Sequence, residues 1–595
     1  MKKAWKALRV VVVMAFRADF RRALATFIFQ PLTWIASTFL AYLLKLLADG
    51  AARQDFSSSM VGAVGLAITF GIVYLFGGTT AKLNASLTER TGFYLDQKLM
   101  DLSSNLPKIE HHERPEFLDQ MELLREGRGD LGRAVGTVVY GLSSLGQTIV
   151  IAVLLASLHP LMLLLPLFAL PSFLAGMTSQ KRMRALDEMN AGSLRLMRHL
   201  FSLTTTTAPA KEIRIFGLTD WLLGRHETLW EKVYRSRFAT RIRMAFLSSG
   251  ATLVFGLGFV GAIWFVVNRA LNGLASVGDV LLAVLLAGQV NSNVSGVIGY
   301  VTSLYRQLSI AHRYLWLIDY GEEVKKRQAD ELRATVPDSM AEGIWMENLS
   351  FRYPGTEADV LKDVSLMFPV GSTVALVGEN GAGKTTLVKL LLRFYDPTEG
   401  RILLDGTDIR SFDIEEWRRR SSAGFQDFCR FEFLARETVG VGDPPHIESV
   451  PAVSAALVRA GSTEAVTTLP NGLETQLGPT YGGVDVSVGQ WQKLALGRSM
   501  MRDAPLVLVL DEPTSSLDAP TEHALFERFA RITQEGALAG SLTILVSHRF
   551  STVRMADLIV VIDGGLVLET GSHEELMQKR GLYAELFELQ ARAFQ

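Results

Sequence analysis

The sequence predicts a multidomain chain, in which an all-α domain of six membrane-crossing helices precedes an α/β domain. Of its 595 residues, 48% are hydrophobic, and the mean hydropathy is positive at +0.22. This is too long and too apolar for one ordinary soluble domain. The apolar excess lies before about residue 310, whereas the chain after about residue 340 alternates between apolar strands and helices in the manner of a soluble α/β domain.

Six stretches before residue 310 are apolar enough to cross a bilayer, which takes about 20 residues of helix. The predicted spans are residues 23–47, 60–80, 135–158, 161–177, 245–268 and 280–301. Pro160 directly precedes the fourth span, and Pro166 and Pro171 lie within it. A spanning helix tolerates prolines when neighbouring groups satisfy the freed carbonyls. The alternative is that some of these stretches are buried helices of a soluble core.

The placement of charge argues against that alternative and predicts an orientation. Lys and Arg are dense in residues 1–22, 82–133 and 179–243, and sparse in the short connections between the other span ends. By the positive-inside rule, the N-terminus, both long segments and the α/β domain face the cytoplasm. The basic stretch 1–20 is typical of an amphipathic helix at the membrane surface. A cleaved signal peptide is the alternative, but arginines stand where small residues are expected at a cleavage site.

A phosphate-binding loop of the form GxxxxGK[ST] opens the chemistry of the second domain. A strand-like run, 373–377, precedes it and a helix-like run, 387–392, follows it, so its glycines can turn backbone N–H groups toward phosphate oxygens at a helix N-terminus. Lys384 is expected to reach the β- and γ-phosphates, and the Thr385 hydroxyl to bind Mg²⁺. The residues of this loop are Gly378, Glu379, Asn380, Gly381, Ala382, Gly383, Lys384, Thr385 and Thr386.

A second motif completes this site. The apolar run 506–510 ends in Asp511 and Glu512. Asp511 is expected to hold the metal directly or through water, and Glu512 to orient and polarise the attacking water. Together the two motifs predict an enzyme that hydrolyses a nucleoside triphosphate.

With these features the chain resembles an ABC transporter half-subunit of the exporter type, which carries its membrane domain ahead of its nucleotide-binding domain. The resemblance covers essentially the whole length and implies ATP and Mg²⁺ as ligands. It implies an N-terminal interfacial helix at 1–20, a transmembrane domain at 21–315, a linker at 316–342 and a nucleotide-binding domain at 343–595.

The resemblance assigns further roles in the second domain. Tyr353 resembles the aromatic residue that stacks on adenine, and a strand aromatic in the core is the alternative. Gln426 resembles the glutamine that reaches Mg²⁺ and the attacking water, so the implied metal ligands are Thr385, Gln426 and Asp511. His548 resembles the switch histidine that bonds the γ-phosphate and joins Glu512 as a catalytic residue. Residues 515–518 resemble the loop that crosses between paired subunits.

Residues 486–490 stand in the place of the family signature LSGGQ. Val486 replaces leucine and Val488 replaces glycine, a position where glycine permits close backbone approach. The Ser487 hydroxyl, the Gly489 amide and Gln490 are retained at the start of a helix, where they are expected to touch the γ-phosphate. We therefore expect the signature to work.

The inventory of one phosphate-binding loop and one signature implies a dimer, because in the family these motifs face each other across two subunits. A homodimer is the simplest reading, and a heterodimer with another half-transporter is the alternative. Residues 111–117 and 208–216 resemble the coupling segments that pass movement to the membrane domain.

The cargo is the least determined part of the prediction. Gln289, Asn291 and Asn293 form an uncharged polar cluster in the last span and are predicted to line a substrate cavity, with helix–helix hydrogen bonding as the alternative. Such a cavity suits an amphipathic peptide, lipid or drug. The single cysteine excludes disulfides within the chain, and the net charge of −1 gives no sign of a nucleic-acid partner.

Three functions are compared with these observations. The first is an ATP-driven exporter in the cell membrane, with its ATPase domain in the cytoplasm. The second is an importer with the exporter fold, for example of a metal chelate. The third, a non-transporting ATPase of the same nucleotide-binding family, conflicts with the predicted spans.

Overall fold

The structure is a computed structural model that describes residues 2–207, 209–331, 334–512, 541–547 and 553–593. The chain forms two compact units. The first unit comprises Met1–Ser103 and Gln120–Ile318, and the second comprises Ser104–Asp119 and Asp319–Gln595. The short segment Ser104–Asp119 therefore packs with the C-terminal part of the chain, although it lies between two membrane helices in the sequence.

Eleven α-helices precede the first strand in the described residues. They are α1 (Lys2–Ala18), α2 (Phe20–Ala52), α3 (Phe56–Ser104), α4 (Glu110–Glu113), α5 (Pro115–Leu158), α6 (Leu165–Phe168), α7 (Leu170–Met189), α8 (Ala191–Thr205), α9 (Ala210–Ile215), α10 (Thr219–Leu271) and α11 (Val277–Glu331).

Six helical segments of the described chain are long and apolar enough to cross a membrane, and they coincide with the six predicted spans. The fourth, Pro160–Met189, differs from the uninterrupted helix expected at 161–177. It begins with a 3₁₀ turn at Pro160–Leu164 and continues through the short helix α6. Prolines provide the physical reason, since Pro160, Pro166 and Pro171 each lack the N–H that a continuous helix requires.

The N-terminal helix is one-sided, as expected for residues 1–20. It buries Ala7, Val11, Met14 and Ala15, which recur at helical spacing, and leaves Trp5 exposed. Asp19 then ends α1 and caps α2, because its carboxylate accepts a hydrogen bond of 3.0 Å from the Arg22 backbone N–H.

Polar contacts join the long helices of the first unit at two levels. At one end, Lys45 and Asp279 form an ion pair of 2.6 Å, and the Gly278 N–H donates to Asp49 at 2.7 Å. Further along, Asn293 of α11 accepts from the Ser144 hydroxyl at 2.5 Å and donates to the Thr148 hydroxyl at 2.8 Å. Such hydrogen bonds fix one apolar helix against another.

The second unit contains two sheets. An antiparallel sheet has the order β2-β1-β4-β5, and a mostly parallel sheet has the order β10-β9-β3-β8-β7-β6. The strands are β1 (Gly343–Phe351), β2 (Leu361–Pro369), β3 (Thr373–Val377), β4 (Glu399–Leu404), β5 (Thr407–Asp408), β6 (Ser421–Gly424), β7 (Val507–Asp511), β8 (Leu542–Val546), β9 (Leu558–Asp563) and β10 (Leu566–Gly571).

Helices accompany these strands and build the core. They are α12 (Lys384–Leu391), α13 (Ile414–Arg419), α14 (Ala435–Gly440), α15 (Val450–Arg459), α16 (Glu464–Thr467), α17 (Val488–Ser499), α18 (His573–Lys579) and α19 (Leu582–Ala593). The six-helix all-α part followed by an α/β domain confirms the predicted fold class. Because α11 continues to Glu331, residues 316–331 of the expected linker are helical.

Trp417 is among the largest fully buried side chains of the second unit. Its side chain is fully buried, its indole N–H donates to the Leu391 carbonyl at 2.9 Å, and its ring stacks on Phe412. Trp417→Ala should therefore cost about 3–5 kcal/mol and lower the thermal unfolding midpoint of the purified chain. Trp345→Ala is the matched control, since Trp345 is 41% exposed. Equal effects of the two substitutions would contradict this account.

Candidate functional site

The register of the parallel sheet brings the two predicted motifs to one edge. Val546 at the end of β8 pairs with Leu376 of β3 on one side and with Asp511 of β7 on the other. The phosphate-binding loop follows β3 directly, and Glu512 follows β7. Carboxyl ends of parallel strands are the usual ligand-binding edge of such sheets, so two motifs more than 100 residues apart lie side by side.

Glycine is required in this loop for its conformation and for the close approach of other groups. Gly378 has a φ of 154° and Gly383 a φ of 110°. A Cβ atom on Gly378 would lie 2.0 Å from the Ile562 carbonyl oxygen, and one on Gly383 would lie 2.7 Å from Leu361. The chain therefore passes where no side chain fits, and α12 starts directly behind it at Lys384.

Lys384 is held inside this loop. Its ammonium donates to the carbonyls of Gly378 at 2.7 Å and of Glu379 at 2.9 Å. Burial lowers the pKa of Lys384, while the nearby charges of Glu512 and Asp511 act in the opposite direction. A buried cation is thus placed at the N-terminus of α12, where the helix dipole also favours an anion.

Asp511 lies opposite Lys384, at the end of β7. It is 4% exposed and accepts a hydrogen bond of 3.3 Å from the Thr385 hydroxyl. Burial raises the pKa of Asp511 to about 6, and the neighbouring charge of Glu512 adds to the effect. A carboxylate in this setting favours a nearby cation.

Glu512 has an unusual backbone for its residue type. Its φ is 46°, a left-handed conformation that residues other than glycine seldom adopt and that clusters at functional sites. Its N–H donates to the Val546 carbonyl at 2.9 Å, and its carboxylate accepts from the Gln426 side chain at 2.6 Å. The structure thus brings Lys384, Thr385, Gln426, Asp511 and Glu512 together.

Tyr353 lies beside the helix that follows the loop. Its hydroxyl is 3.1 Å from the Thr386 hydroxyl, and its ring packs edge-on against Phe351 and Tyr395. The Lys389 ammonium lies 5.3 Å from the centroid of the Tyr353 ring. Tyr353 is therefore adjacent to the loop while also packing against the core, which was the alternative interpretation.

Lys389 is a residue that the sequence analysis missed. Besides the Tyr353 ring, its ammonium contacts the ring of Tyr395 at 5.7 Å and the carboxylate of Glu113 at 3.6 Å. Its position three residues after Thr386 on α12 places it on the same helix face as Thr386, and this spacing is the signal that could have indicated it.

The segment Ser104–Asp119, which includes predicted coupling residues 111–117, contacts the residues that follow α12 in the second unit. Lys108 forms an ion pair with Asp396, and the Ile109 N–H approaches the Phe394 carbonyl at 3.4 Å. The other predicted coupling segment, 208–216, forms α9. Its end is strongly exposed, with Ile215 at 78% and Phe216 at 68%. Ala208 lies outside the described residues.

The signature forms the start of α17 but shows no hydrogen bond to the phosphate-binding loop among the described residues. Ser487 and Gln490 bond reciprocally, each side chain to the other's backbone N–H, and the Gln490 side chain also donates to Thr468 at 3.4 Å. Val488 is 52% exposed, and a Cβ on Gly489 would meet no atom. This surface is open to another molecule.

Two predicted elements lie outside the described residues. They are His548 and the loop 515–518.

The polar cluster of the last span divides into separate environments. Gln289 and Asn293 line one cavity of about 350 Å³ together with Trp34 and Tyr300. Asn293 also forms the interhelical hydrogen bonds described above, so both interpretations apply to it. Asn291 is not among the residues that line this cavity, because it lies two positions from Asn293 on the helix and points elsewhere.

The donor set fits a nucleotide with Mg²⁺. The loop keeps space free of side chains where phosphate would lie, the buried Lys384 supplies positive charge, and the buried Asp511 with the Thr385 hydroxyl offers hard oxygen donors. Gln426 adds a side-chain carbonyl next to Glu512.

Two glycine substitutions test how strongly stability depends on the backbone conformation of the loop and on the space around it. Gly378→Ala would place its Cβ 2.0 Å from a backbone carbonyl in addition to straining φ, so it should lower the free energy of unfolding by about 3 kcal/mol. Gly381→Ala strains φ alone, since nothing lies near its Cβ, and should cost only about 1 kcal/mol. The thermal unfolding midpoints without nucleotide compare the two. A larger drop for Gly381→Ala would contradict the geometry.

The raised pKa of Asp511 predicts a pH dependence. The pKa rises from 3.8 to about 6 in the folded state, so the folded state binds this proton more tightly than the unfolded chain does. The resulting stabilisation is present below about pH 4 and is lost as the pH rises through about 6, a change of about 3 kcal/mol. Asp511→Asn should lack this dependence. Thermal unfolding midpoints without Mg²⁺ across this range provide the measurement, and parallel curves for both proteins would refute the assignment.

The chain is similar in sequence to known proteins. Residues 361–515 match the protein family described as ABC transporter. The ATP-dependent lipid A-core flippase of Chromohalobacter salexigens is 33% identical over 338 residues, which cover 57% of this chain and 56% of that relative. The subtilin transport ATP-binding protein SpaT of Bacillus subtilis is 27% identical over 545 residues, 88% of this chain and 85% of the relative. The chain thus spans about half the length of the flippase it matches.

A solved structure supports the fold along the whole chain. A bacterial Atm1-family ABC exporter with ATP bound superposes with a TM-score of 0.72 at 22% identity, covering 97% of this chain and 99% of that one. This likeness shows the fold, and the family match shows the nucleotide-binding half. The chain thus carries the ABC transporter match at residues 361–515 and shares the fold of that exporter, in which six helices of membrane-crossing length precede the α/β domain.

Proposed function

We propose that the protein is an ATP-driven exporter half-subunit that couples ATP hydrolysis to the outward movement of an amphipathic molecule. The observation that carries this proposal is the convergence of Lys384, Thr385, Asp511 and Glu512 at one sheet edge. This ATPase site is fused to six helices with the length and composition of membrane spans.

The site residues divide the work of phosphoryl transfer. Lys384 and the amides of residues 378–386 bind the β- and γ-phosphates, and Tyr353 stacks on the adenine. Glu512 accepts a proton from the attacking water and orients it, while the Gln426 side chain holds the Glu512 carboxylate by the hydrogen bond seen here. Mg²⁺, held by Thr385, Gln426 and Asp511, would neutralise charge on the phosphates. His548 is proposed to contact the γ-phosphate.

A second copy of the chain completes the site in this proposal. Ser487, Gly489 and Gln490 lie at the start of α17, and their open surface would face the phosphates bound by the partner. The exposed Ile215 and Phe216 at the end of α9 are an apolar surface that the partner's nucleotide-binding domain would cover. A heterodimer with a different half-subunit is the alternative.

The membrane placement follows the same reasoning. Residues 1–20 would lie at the membrane surface, 21–315 would form the transmembrane domain, 316–342 would connect the domains, and 343–595 would bind nucleotide in the cytoplasm. The cell membrane is the proposed location, because Lys and Arg are concentrated in the segments that would face the cytoplasm. Relatives named as an ATP-dependent lipid A-core flippase and a subtilin transport ATP-binding protein support a role in ATP-driven transport. An importer with the same fold is the alternative.

The role of Glu512 is tested with Glu512→Gln. This change keeps the size and hydrogen-bonding reach of the side chain but removes the base, so ATP binding should persist while turnover falls by about 100-fold or more. Phosphate release and nucleotide binding by the chain in lipid nanodiscs provide the two measurements. Lys384→Ala serves as the comparison, since it should weaken binding itself. Turnover near the wild-type rate in Glu512→Gln would assign the base elsewhere.

A further inference from the structure

The loop that carries Gln426 depends on side-chain contacts for its position. Residues 425–433 connect β6 to α14 and contain no helix or strand. Gln426 lies near the start of this loop, where its side chain donates to Glu512 at 2.6 Å. Because no ladder or helical hydrogen bonds fix the backbone of such a segment, other groups must hold it where Gln426 reaches Glu512.

Arg498 supplies several of these contacts. Its terminal nitrogens Nη1 and Nη2 each donate to the Cys429 carbonyl at 3.2 Å, and its Nε donates to the Thr438 carbonyl at 3.0 Å. Its guanidinium also lies 4.6 Å from the centroid of the Phe431 ring. A planar guanidinium has five N–H donors in a fixed fork, so it can bind two carbonyls and one ring face at once. Arg498 thus joins the loop and α14 to the last turn of α17.

The bonds to Cys429 hold the loop close to Gln426. Cys429 lies three residues after Gln426, and among the residues that the structure describes no other hydrogen bond reaches residues 427–430. The loop is attached again further along, where the Gln476 side chain donates to the Glu432 carbonyl at 2.8 Å. The Arg498 bonds are therefore the hydrogen-bonded anchor nearest to Gln426 on this side of the loop.

Burial ties the guanidinium to its carbonyl partners. Burial lowers the pKa of Arg498 to about 10, because its guanidinium is largely withdrawn from water. A desolvated cation is unfavourable unless polar groups bind it. The carbonyls of Cys429 and Thr438 meet this need, so the guanidinium and the loop stabilise each other's position. Since α17 begins at Val488, one helix carries the signature at its start and the anchor of the loop at its end.

We propose that Arg498 is a positioning residue for ATP hydrolysis, because it holds the loop at the place where Gln426 reaches Glu512. Arg498 acts through the Cys429 carbonyl and needs no contact with the nucleotide. Loss of its bonds would let residues 426–430 move, and the Glu512 carboxylate would lose a fixed hydrogen-bond donor. This inference rests on the proposed function, since it concerns the alignment of residues to which that proposal assigns turnover. A purely structural role for Arg498 would instead lower stability without changing the loop or the turnover of the folded protein.

The single cysteine of the chain makes the loop directly observable. Cys429 is exposed, so a nitroxide label attached there reports the motion of the loop by electron paramagnetic resonance, with the full chain in lipid nanodiscs and no nucleotide present. Arg498→Met keeps an unbranched stem but removes every donor, and should shorten the rotational correlation time of the label by about twofold or more. Arg498→Lys should give an intermediate value, and it decides alone if Arg498→Met does not fold. Unchanged label mobility in the folded variants would overturn the proposal.

Arg459→Met is the matched control. Arg459 also binds a carbonyl beside the end of α17, since its Nε and Nη2 donate to the Met500 carbonyl at 3.2 and 2.7 Å. None of its contacts in the described part of the chain reaches residues 425–433. Arg459→Met should lower the thermal unfolding midpoint but leave label mobility and ATP turnover within about twofold of wild type. Equal effects of Arg459→Met and Arg498→Met on mobility and turnover would refute a specific role for Arg498.

Steady-state ATP hydrolysis in the same nanodiscs gives the second readout. Arg498→Met should lower kcat about tenfold while the KM for ATP stays within about twofold, because Lys384 and the phosphate-binding loop are untouched. If Arg498 acts through Gln426, Arg498→Lys should lower kcat in the wild-type background but change it by less than about twofold in Gln426→Ala. The same fold loss in both backgrounds would reject this route.

The two proposals fail in different ways. Label mobility is measured without nucleotide, so it does not depend on hydrolysis. Wild-type turnover by Glu512→Gln together with a more mobile label in Arg498→Lys would reassign the base and keep the anchoring of the loop by Arg498. Loss of turnover in Glu512→Gln with no change in label mobility would keep the proposed ATPase site and reject the role of Arg498.

Discussion

Burial of Asp511 beside a second acidic side chain, Glu512, at the end of β7 is the constraint around which the nucleotide site is arranged. Asp511 ends an entirely buried strand, and its pKa is raised by that burial and by Glu512. A nearby cation and hydrogen-bond donors compensate this excess of negative charge. Lys384 lies close enough for its charge to act on Asp511, Thr385 donates to Asp511, and Gln426 donates to Glu512. The geometry is thus suited to a cation and a polyanion together.

In the first unit, the polar groups lie among apolar helices rather than around a buried acid. Apolar helices dominate it, so each polar contact stands out and has a defined place. Lys45 with Asp279 and Asn293 with Ser144 are satisfied and join helices. Gln289, in contrast, has a buried side-chain oxygen without a hydrogen-bond partner among the described residues.

The sequence predicted the features whose signal is local. The six apolar segments and the loop 378–386 each carry their whole signature in a continuous stretch, and the pairing of Asp511 with that loop followed from the combination of the two motifs. It failed where distant segments meet. The spacing of Lys389 from Thr386 indicates its helix face, but its contacts with Tyr353 and Glu113 arise because three separate segments converge, and the spacing does not record that convergence.

The same limit applies to an aromatic cluster in the first unit. Trp34, Tyr140 and Tyr300 come from three helices, so their cluster is a property of tertiary packing. Sequence reasoning grouped Gln289, Asn291 and Asn293 because they are neighbours in the chain, whereas helical geometry turns Asn291 away from the other two. The prolines of the fourth span were recognised, but their local effect, a 3₁₀ start rather than a continuous helix, depends on which carbonyls find other partners.

Lys389 couples two contacts within the second unit, one with Tyr353 and one with Glu113. One ammonium lies between the ring of Tyr353 and the carboxylate of Glu113 on the segment that leads into α5. If a bound base alters how strongly that ring attracts the cation, then the hold on Glu113 changes by the same free energy. The converse also applies, since linkage between two sites is symmetric. If Tyr353 binds the base as proposed, a displacement of segment Ser104–Asp119 would therefore change the nucleotide affinity through Lys389.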